Sequence, residues 1–236
     1  MLRKIADFIL FMQKDNGSYY SKYKPLKGGR NDEWTSLYYP GEAALGLALL
    51  YEIDKDPKWI QGAIKTITYL ANSRKHSKVV PEDHWAMLAT NQIFKLSKTN
   101  DFKFPKKLFV DHAVKVCNSL LKMFVFENWD GTYKLKSLKT GRTAPVGTRL
   151  EGLLAAYQFL PDNLTVLKNN IKGAAESGMK FLISAQVVSG KYKGGFPGQV
   201  IYYSSRNMYK IDPEIRIDYV QHAMSAQINY LELFYK

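Results

Sequence analysis

Eight stretches of this chain carry a helical repeat, and they alternate strictly between two kinds. Those near 2–14, 56–73, 105–127 and 163–186 place apolar residues at three- and four-residue steps with polar residues between. Trp59, Ile60, Ala63, Ile64, Ile67, Leu70 and Ala71 form one such stripe, and Leu108, Phe109, Ala113, Val116, Leu120 and Phe124 another. A helix of this pattern has one wet face. The stretches near 40–54, 82–98, 147–160 and 215–235 are small or apolar nearly all round, as in Gly41-Glu-Ala-Ala-Leu-Gly-Leu-Ala-Leu-Leu-Tyr51, and such helices are expected to be buried. Wet-faced then buried, four times over, predicts an all-α fold in which outer helices cover inner ones. No run of alternating apolar residues competes with it, so any strands are expected to be short and confined to loops.

Length and charge bound the rest. With 236 residues, 46% of them hydrophobic, the chain can bury a sizeable core. No Pro/Gly/Ser linker divides it, so one domain over 1–236 is expected, either whole or a piece of a longer protein. The formal charge is +13, but the bases are mostly scattered Lys and no basic run reaches five residues. That argues for a solvated surface with some attraction to anionic partners, and against nucleic-acid recognition. The single Cys117 can form no internal disulfide and excludes multi-thiolate zinc sites. The first fourteen residues carry Asp7 inside their apolar stretch and lack a small-residue cleavage site, so they read as an amphipathic helix rather than a leader. No apolar run is long enough to span a membrane, and a cytoplasmic location is expected.

A loose internal repeat accompanies the alternation. Loops with a Gly-aromatic opening precede three of the four buried stretches, at Asp15-Asn-Gly-Ser-Tyr-Tyr20, Asp130-Gly-Thr-Tyr133 and Gly194-Gly-Phe-Pro-Gly198. The long loops hold Trp34, Tyr38, Tyr39, Tyr202 and Tyr203, which suggests ordered walls of a cleft. The first loop, with Leu37-Tyr-Tyr-Pro-Gly-Glu-Ala-Ala-Leu-Gly-Leu47 after it, resembles repeats of the α/α-toroid proteins: six-hairpin glycosidases, uronate epimerases and N-acylglucosamine epimerase-like chains. Asp54-Lys-Asp-Pro-Lys-Trp59 is similar to the turn from an inner to an outer helix in that group. The resemblance implies an α/α-toroid-like array of about four hairpins, where a full toroid has six, and a carbohydrate-active function.

Each buried stretch carries a carboxylate near its start: Glu42, Asp83, Glu151 and Asp218. Capping and the helix dipole alone favour acids there. Their neighbours go beyond capping: His84 and Trp85 follow Asp83, Arg149 precedes Glu151, and Asp218 lies within Arg216-Ile-Asp-Tyr-Val-Gln-His222. A four-residue step puts Asp218 and His222 on one helix face, where the carboxylate is expected to orient the imidazole as a general base. His76 and His112 fall on wet-faced segments and are assigned no role. The spacing of Asp83, His84, Asp218 and His222 matches no ligand motif, so neither a metal nor a cofactor is expected.

Catalysis is therefore assigned to Asp218, His222, Asp83 and Glu151, and substrate binding to Glu42, His84, Trp85, Arg149, Arg216, Tyr219, Tyr39 and Trp34. Aromatic faces beside acids and Arg suit sugar rings. Two reactions compete, hydrolysis by paired carboxylates and epimerisation or β-elimination of a uronic sugar by a proton-transfer residue, with Arg149 and Arg216 neutralising the sugar carboxylate. The positive charge tilts the choice toward an anionic glycan. The alternative is a non-catalytic scaffold that binds a ligand or partner protein.

Overall fold

A helix is found at each place the periodicity marks, most with ends within two residues of those expected. In the computed structural model they are α1 (Leu2–Met12), α2 (Tyr39–Asp54), α3 (Pro57–Ser73), α4 (His84–Leu96), α5 (Lys106–Leu121), α6 (Thr143–Phe159), α7 (Thr165–Ala185) and α8 (Ile217–Phe234). The structure describes residues 1–129, 132–138, 141–203 and 208–235, by backbone alone at 125–129, 132–138, 201–203 and 208–210. Asp130 and Gly131 of the second Gly-aromatic loop lie outside the described residues, as do the side chains of Tyr202 and Tyr203. The protein is mostly helical.

Among the described residues the strands form three antiparallel hairpins: β1 (Lys22–Lys24) with β2 (Gly29–Asn31), β3 (Phe124–Trp129) with β4 (Thr132–Leu138), and β5 (Pro197–Tyr203) with β6 (Met208–Ile215). The helix expected to run to 127 stops at Leu121, because Phe124-Val-Phe-Glu-Asn-Trp129 goes into β3. Aromatic and β-branched residues in so short a run fit a strand as well as a helix, and pairing with β4 decides the matter.

The chain divides into two compact units, Met1–Ser119 and Leu120–Lys236. The first is built on α2, α3 and α4. Ser36 Oγ accepts the N–H groups of Tyr38 and Tyr39, at 3.1 and 3.2 Å, and so starts α2. Lys55 ends it in the left-handed conformation, φ 61°. Asp56 then caps α3 by accepting from Lys58 N, with Pro57 in the first turn. This tight turn reverses the chain, so Gly62 of α3 lies under Leu47 of α2. After α3 the chain returns, and α4 runs parallel to α2. Gly41 meets the backbone of Trp85 and Ala86 at the starting ends, and Gln92 donates to Glu52 at 2.8 Å further along.

The second unit repeats this plan with α6, α7 and α8. Gly147 meets His222 and Ala223 at the starting ends of α6 and α8, and Tyr157 packs edge-on to Phe234, 5.3 Å between centroids, at the other ends. Between them α7 runs the opposite way, with Gly178 against Leu150 and Lys168 over the Tyr157 ring. Both units bury a small-residue and Leu-rich seam, Ala44, Leu47, Ala48, Ala86 and Ala89 in one and Leu150, Leu153, Leu154, Ala223 and Ala226 in the other.

Burial departs from expectation in two places. α8 buries Tyr219, Ala223 and Ala226, but Met224, Ile228 and Leu231 are about half exposed. α2 leaves Leu49 and Ile53 exposed. All-round apolar composition states what a helix can bury; neighbours decide how much of it is covered.

Candidate functional site

In the first unit the parallel starts of α2 and α4 gather Glu42, Asp83, His84, Trp85 and the 34–39 loop. Contact at Gly41 is so close that a Cβ there would sit 2.7 Å from both Ala86 N and Trp85 Cβ. Asp83 is fully buried and does two jobs: one carboxylate oxygen accepts Ala86 N–H at 3.0 Å as the α4 cap, and the other accepts from Arg74 at 2.8 Å. Burial raises the Asp83 carboxyl against the opposing pull of Arg74 and the cap. A second amine of Arg74 donates to His112 Nε2, 3.2 Å away. His112 is 3% exposed, so its expected place on a wet face is corrected: it closes a buried Asp83–Arg74–His112 relay. Since Nε2 accepts, the ring proton sits on Nδ1. Burial first, then the charges of Arg74 and Lys115, push the imidazole down to about 3.

Glu42 stands at the more exposed side of this end, its carboxyl raised by partial loss of water and next by the charge of Asp83. His84 is buried, with Tyr38 edge-on at 5.5 Å and Trp85 tilted at 5.0 Å between centroids. Trp34 and Tyr39 pack edge to face at 5.5 Å, each roughly half exposed. Of the residues assigned to binding, Trp34 pairs with Tyr39 and His84 with Trp85 in this unit, while Tyr219 lies on α8 in the second; Asp83 is enclosed and committed to structure.

In the second unit α6 begins at Thr143, four residues before the expected start, so Glu151 lies two turns into it and not near its beginning, and there it meets His222 of α8. Glu151 is 2% exposed, and its Oε2 lies 2.7 Å from His222 Nδ1. The expected pairing of His222 with Asp218 gives way to this one. Asp218 instead takes Arg216 in a two-bond fork, both bonds 2.9 Å, with the guanidinium 4.9 Å above the Tyr219 ring. Arg216 lies just outside the helix in extended conformation, so it reaches back to the first turn more readily than His222, one turn further in. Gly147 sets the approach: a Cβ there would be 2.9 Å from the His222 carbonyl carbon and 3.0 Å from Ala223 N. Arg149 donates to Pro145 O of its own helix at 3.1 Å.

The β5–β6 hairpin is tied to this end. Thr143 Oγ1 donates to Pro197 O at 2.6 Å, and Val200 N donates to Gly141 O at 2.7 Å. At Gly198 a Cβ would lie 2.9 Å from an Asp212 carboxylate oxygen and 3.4 Å from the Tyr219 ring. Asp212, beside Tyr219 at this end, has no helical or motif signal in the sequence. Arg74 and His112 are the other residues the sequence left unmarked; their signal is only that an Arg and a His recur on helix flanks beside an acid.

Comparison of the chain with protein-family models, with curated proteins and with solved structures found no match.

Proposed function

We propose that the protein is a carbohydrate-active enzyme of the α/α-toroid kind that moves a proton on an anionic sugar, as a uronate epimerase or lyase does. The observation that carries this is the bond between His222 Nδ1 and the buried Glu151 carboxylate, 2.7 Å. A carboxylate on Nδ1 fixes the imidazole tautomer and its orientation, and makes Nε2 the atom that exchanges a proton with a substrate. On a uronic sugar His222 would take the C5 proton, which the adjoining carboxylate makes removable. Return of a proton to the other face gives the epimer; departure of the oxygen at C4 gives the unsaturated sugar.

Arg216, at the exposed start of α8, is the cation suited to the sugar carboxylate, and Asp218 holds it in readiness by the two-bond fork. The Tyr219 ring beneath it supports the same orientation. The repeated arrangement of two parallel helices with an antiparallel one between them in sequence, α2–α3–α4 and α6–α7–α8, and the net charge of +13 are in keeping with such a protein and an anionic glycan. Hydrolysis is favoured less, because Glu151 is engaged by His222 and Asp218 by Arg216.

The test is turnover of uronic oligosaccharides, read as solvent deuterium entering the sugar and as absorbance of an unsaturated product. Wild type should be compared with His222→Gln, which can still donate to Glu151 but transfers no proton at neutral pH. Activity in wild type and its loss in H222Q with an unchanged melting temperature is the expected result. Stability losses in site variants with no turnover on any glycan would leave a binding scaffold as the correct reading.

A further inference from the structure

α1 covers its unit with only part of its apolar surface and leaves two aromatic residues outside. Leu10 packs against Gly62 of α3, and Leu2, Ile5 and Ile9 line a groove with Leu49 and Ile53 of α2; on the flank a largely exposed Arg3 pairs with Asp54, and Asp7 pairs with Lys58 at 3.0 Å. Ala6 and Met12 are its only buried residues. Phe8 and Phe11, on the side turned away from that groove, are 48% and 45% exposed. In a globular domain the apolar stripe of an amphipathic helix is normally the covered one.

The neighbouring β1–β2 hairpin extends this surface. Tyr23 lies edge-on to both Phe8 and Phe11, at 5.8 and 5.7 Å, so helix and hairpin share one aromatic face. At the hairpin turn Leu26 is 98% exposed, held up by a backbone that turns through Gly28 and Gly29, both at positive φ. Bases surround the patch. Lys4 stands one turn before Phe8 on the same helix face, Lys22 and Lys27 flank the hairpin, and Arg30 lies 4.8 Å above the Phe11 ring. Residues 1–33 contain seven Lys or Arg against four acids; Lys14 and Lys24 are paired with Asp32 and Glu33, while Lys4, Lys22, Lys27 and Arg30 give the rim its charge.

We propose that α1 and the β1–β2 hairpin form an attachment surface for an anionic lipid bilayer. An outward apolar face with a protruding Leu and a basic rim is what a helix lying in the headgroup region presents: the rings and Leu26 enter the acyl boundary while Lys and Arg meet lipid phosphates and carboxylates. A second copy of the chain is disfavoured as occupant, because it would set one basic rim against another and bury Lys where protein interfaces exclude it. The surface is distinct from the helix starts that carry the proposed chemistry, so this inference stands or falls separately.

The experiment is co-sedimentation of the full chain with phosphatidylcholine vesicles, with and without phosphatidylserine, at low and high salt. Binding should require phosphatidylserine and fall as salt rises. Leu26→Ser, in a side chain that touches almost nothing, should weaken binding on the order of tenfold with the melting temperature unchanged. Lys27→Gln should weaken it about fivefold. Failure of wild type to bind, or equal binding by L26S, overturns the proposal. So does displacement of the protein by heparin with no sensitivity to Leu26, which would make the surface a simple polyanion site, or an L26S or Phe8→Ser variant that dissolves a dimer of the free protein.

Discussion

His222 Nδ1 and Glu151 Oε2 lie 2.7 Å apart, an imidazole on α8 bonded to a carboxylate that α6 keeps 2% exposed. If His222 transfers the proton, Glu151→Gln should lower kcat by less than His222→Gln, which should cost about 10²–10⁴-fold. The E151Q loss should appear mainly in kcat and should shift the pH–rate profile, while a merely structural Glu would change neither. His222→Ala is expected to destabilise more than E151Q, by about 3–5 kcal/mol, since it strands a buried carboxylate. Urea unfolding of the two variants measures that difference.

Gly147→Ala and Gly41→Ala should each destabilise by about 1–3 kcal/mol, because the added Cβ meets backbone of the facing helix and not a movable side chain. Gly46→Ala is the control: a Cβ there meets nothing within 4 Å, and on an exposed helical position it should stabilise by up to about 1 kcal/mol. Thermal melts of the three variants in parallel decide whether contact at the helix starts sets the spacing.

Arg74→Met should cost about 3–5 kcal/mol by leaving the Asp83 carboxylate buried without its cation. Adding Asp83→Asn to R74M should recover part of that loss, because the amide needs no counter-charge and its oxygen can still cap α4. A double-mutant cycle in urea gives the coupling.

His112 makes stability depend on pH. The folded ring is held down to about 3 while the unfolded ring titrates near 6.5, so the unfolded chain takes up a proton that the native state refuses. Stability is therefore lost as pH falls from about 6.5 toward 3, by about 1.4 kcal/mol per unit. The raised carboxyls of Asp83 and Glu42 act in the opposite sense, since the native state binds their protons more readily. Subtracting the profile of His112→Gln from that of wild type isolates the histidine, and parallel profiles would show that it contributes nothing.

The helices were legible because each stripe repeats over ten or more residues, and their ends lie near Ser36, Asp56 and Asp83, whose capping chemistry is local. Partners were much less legible. Glu151 and His222 are 71 positions apart, and only the packing of α6 on α8 at Gly147 joins them, so the nearer Asp218 looked like the natural mate. His112 looked wet because Lys115 and Asp111 share its turn, although the ring itself is turned to Arg74. Exposure of Met224 and Leu231 could not be read either, since it depends on what lies beside α8 and not on α8 itself. Asp212 and Tyr219 both come up to Gly198, through a hairpin register that no local pattern announces.

Gly41 and Gly147 do the same thing in the two units: each lets a pair of parallel helices touch main chain to main chain within their first two turns. A distance fixed by backbone alone is indifferent to the side chains around it. Acids, rings and imidazoles next to either glycine can thus differ without re-tuning the frame, and they do: one unit locks its acid into a cap and the other keeps it against a histidine.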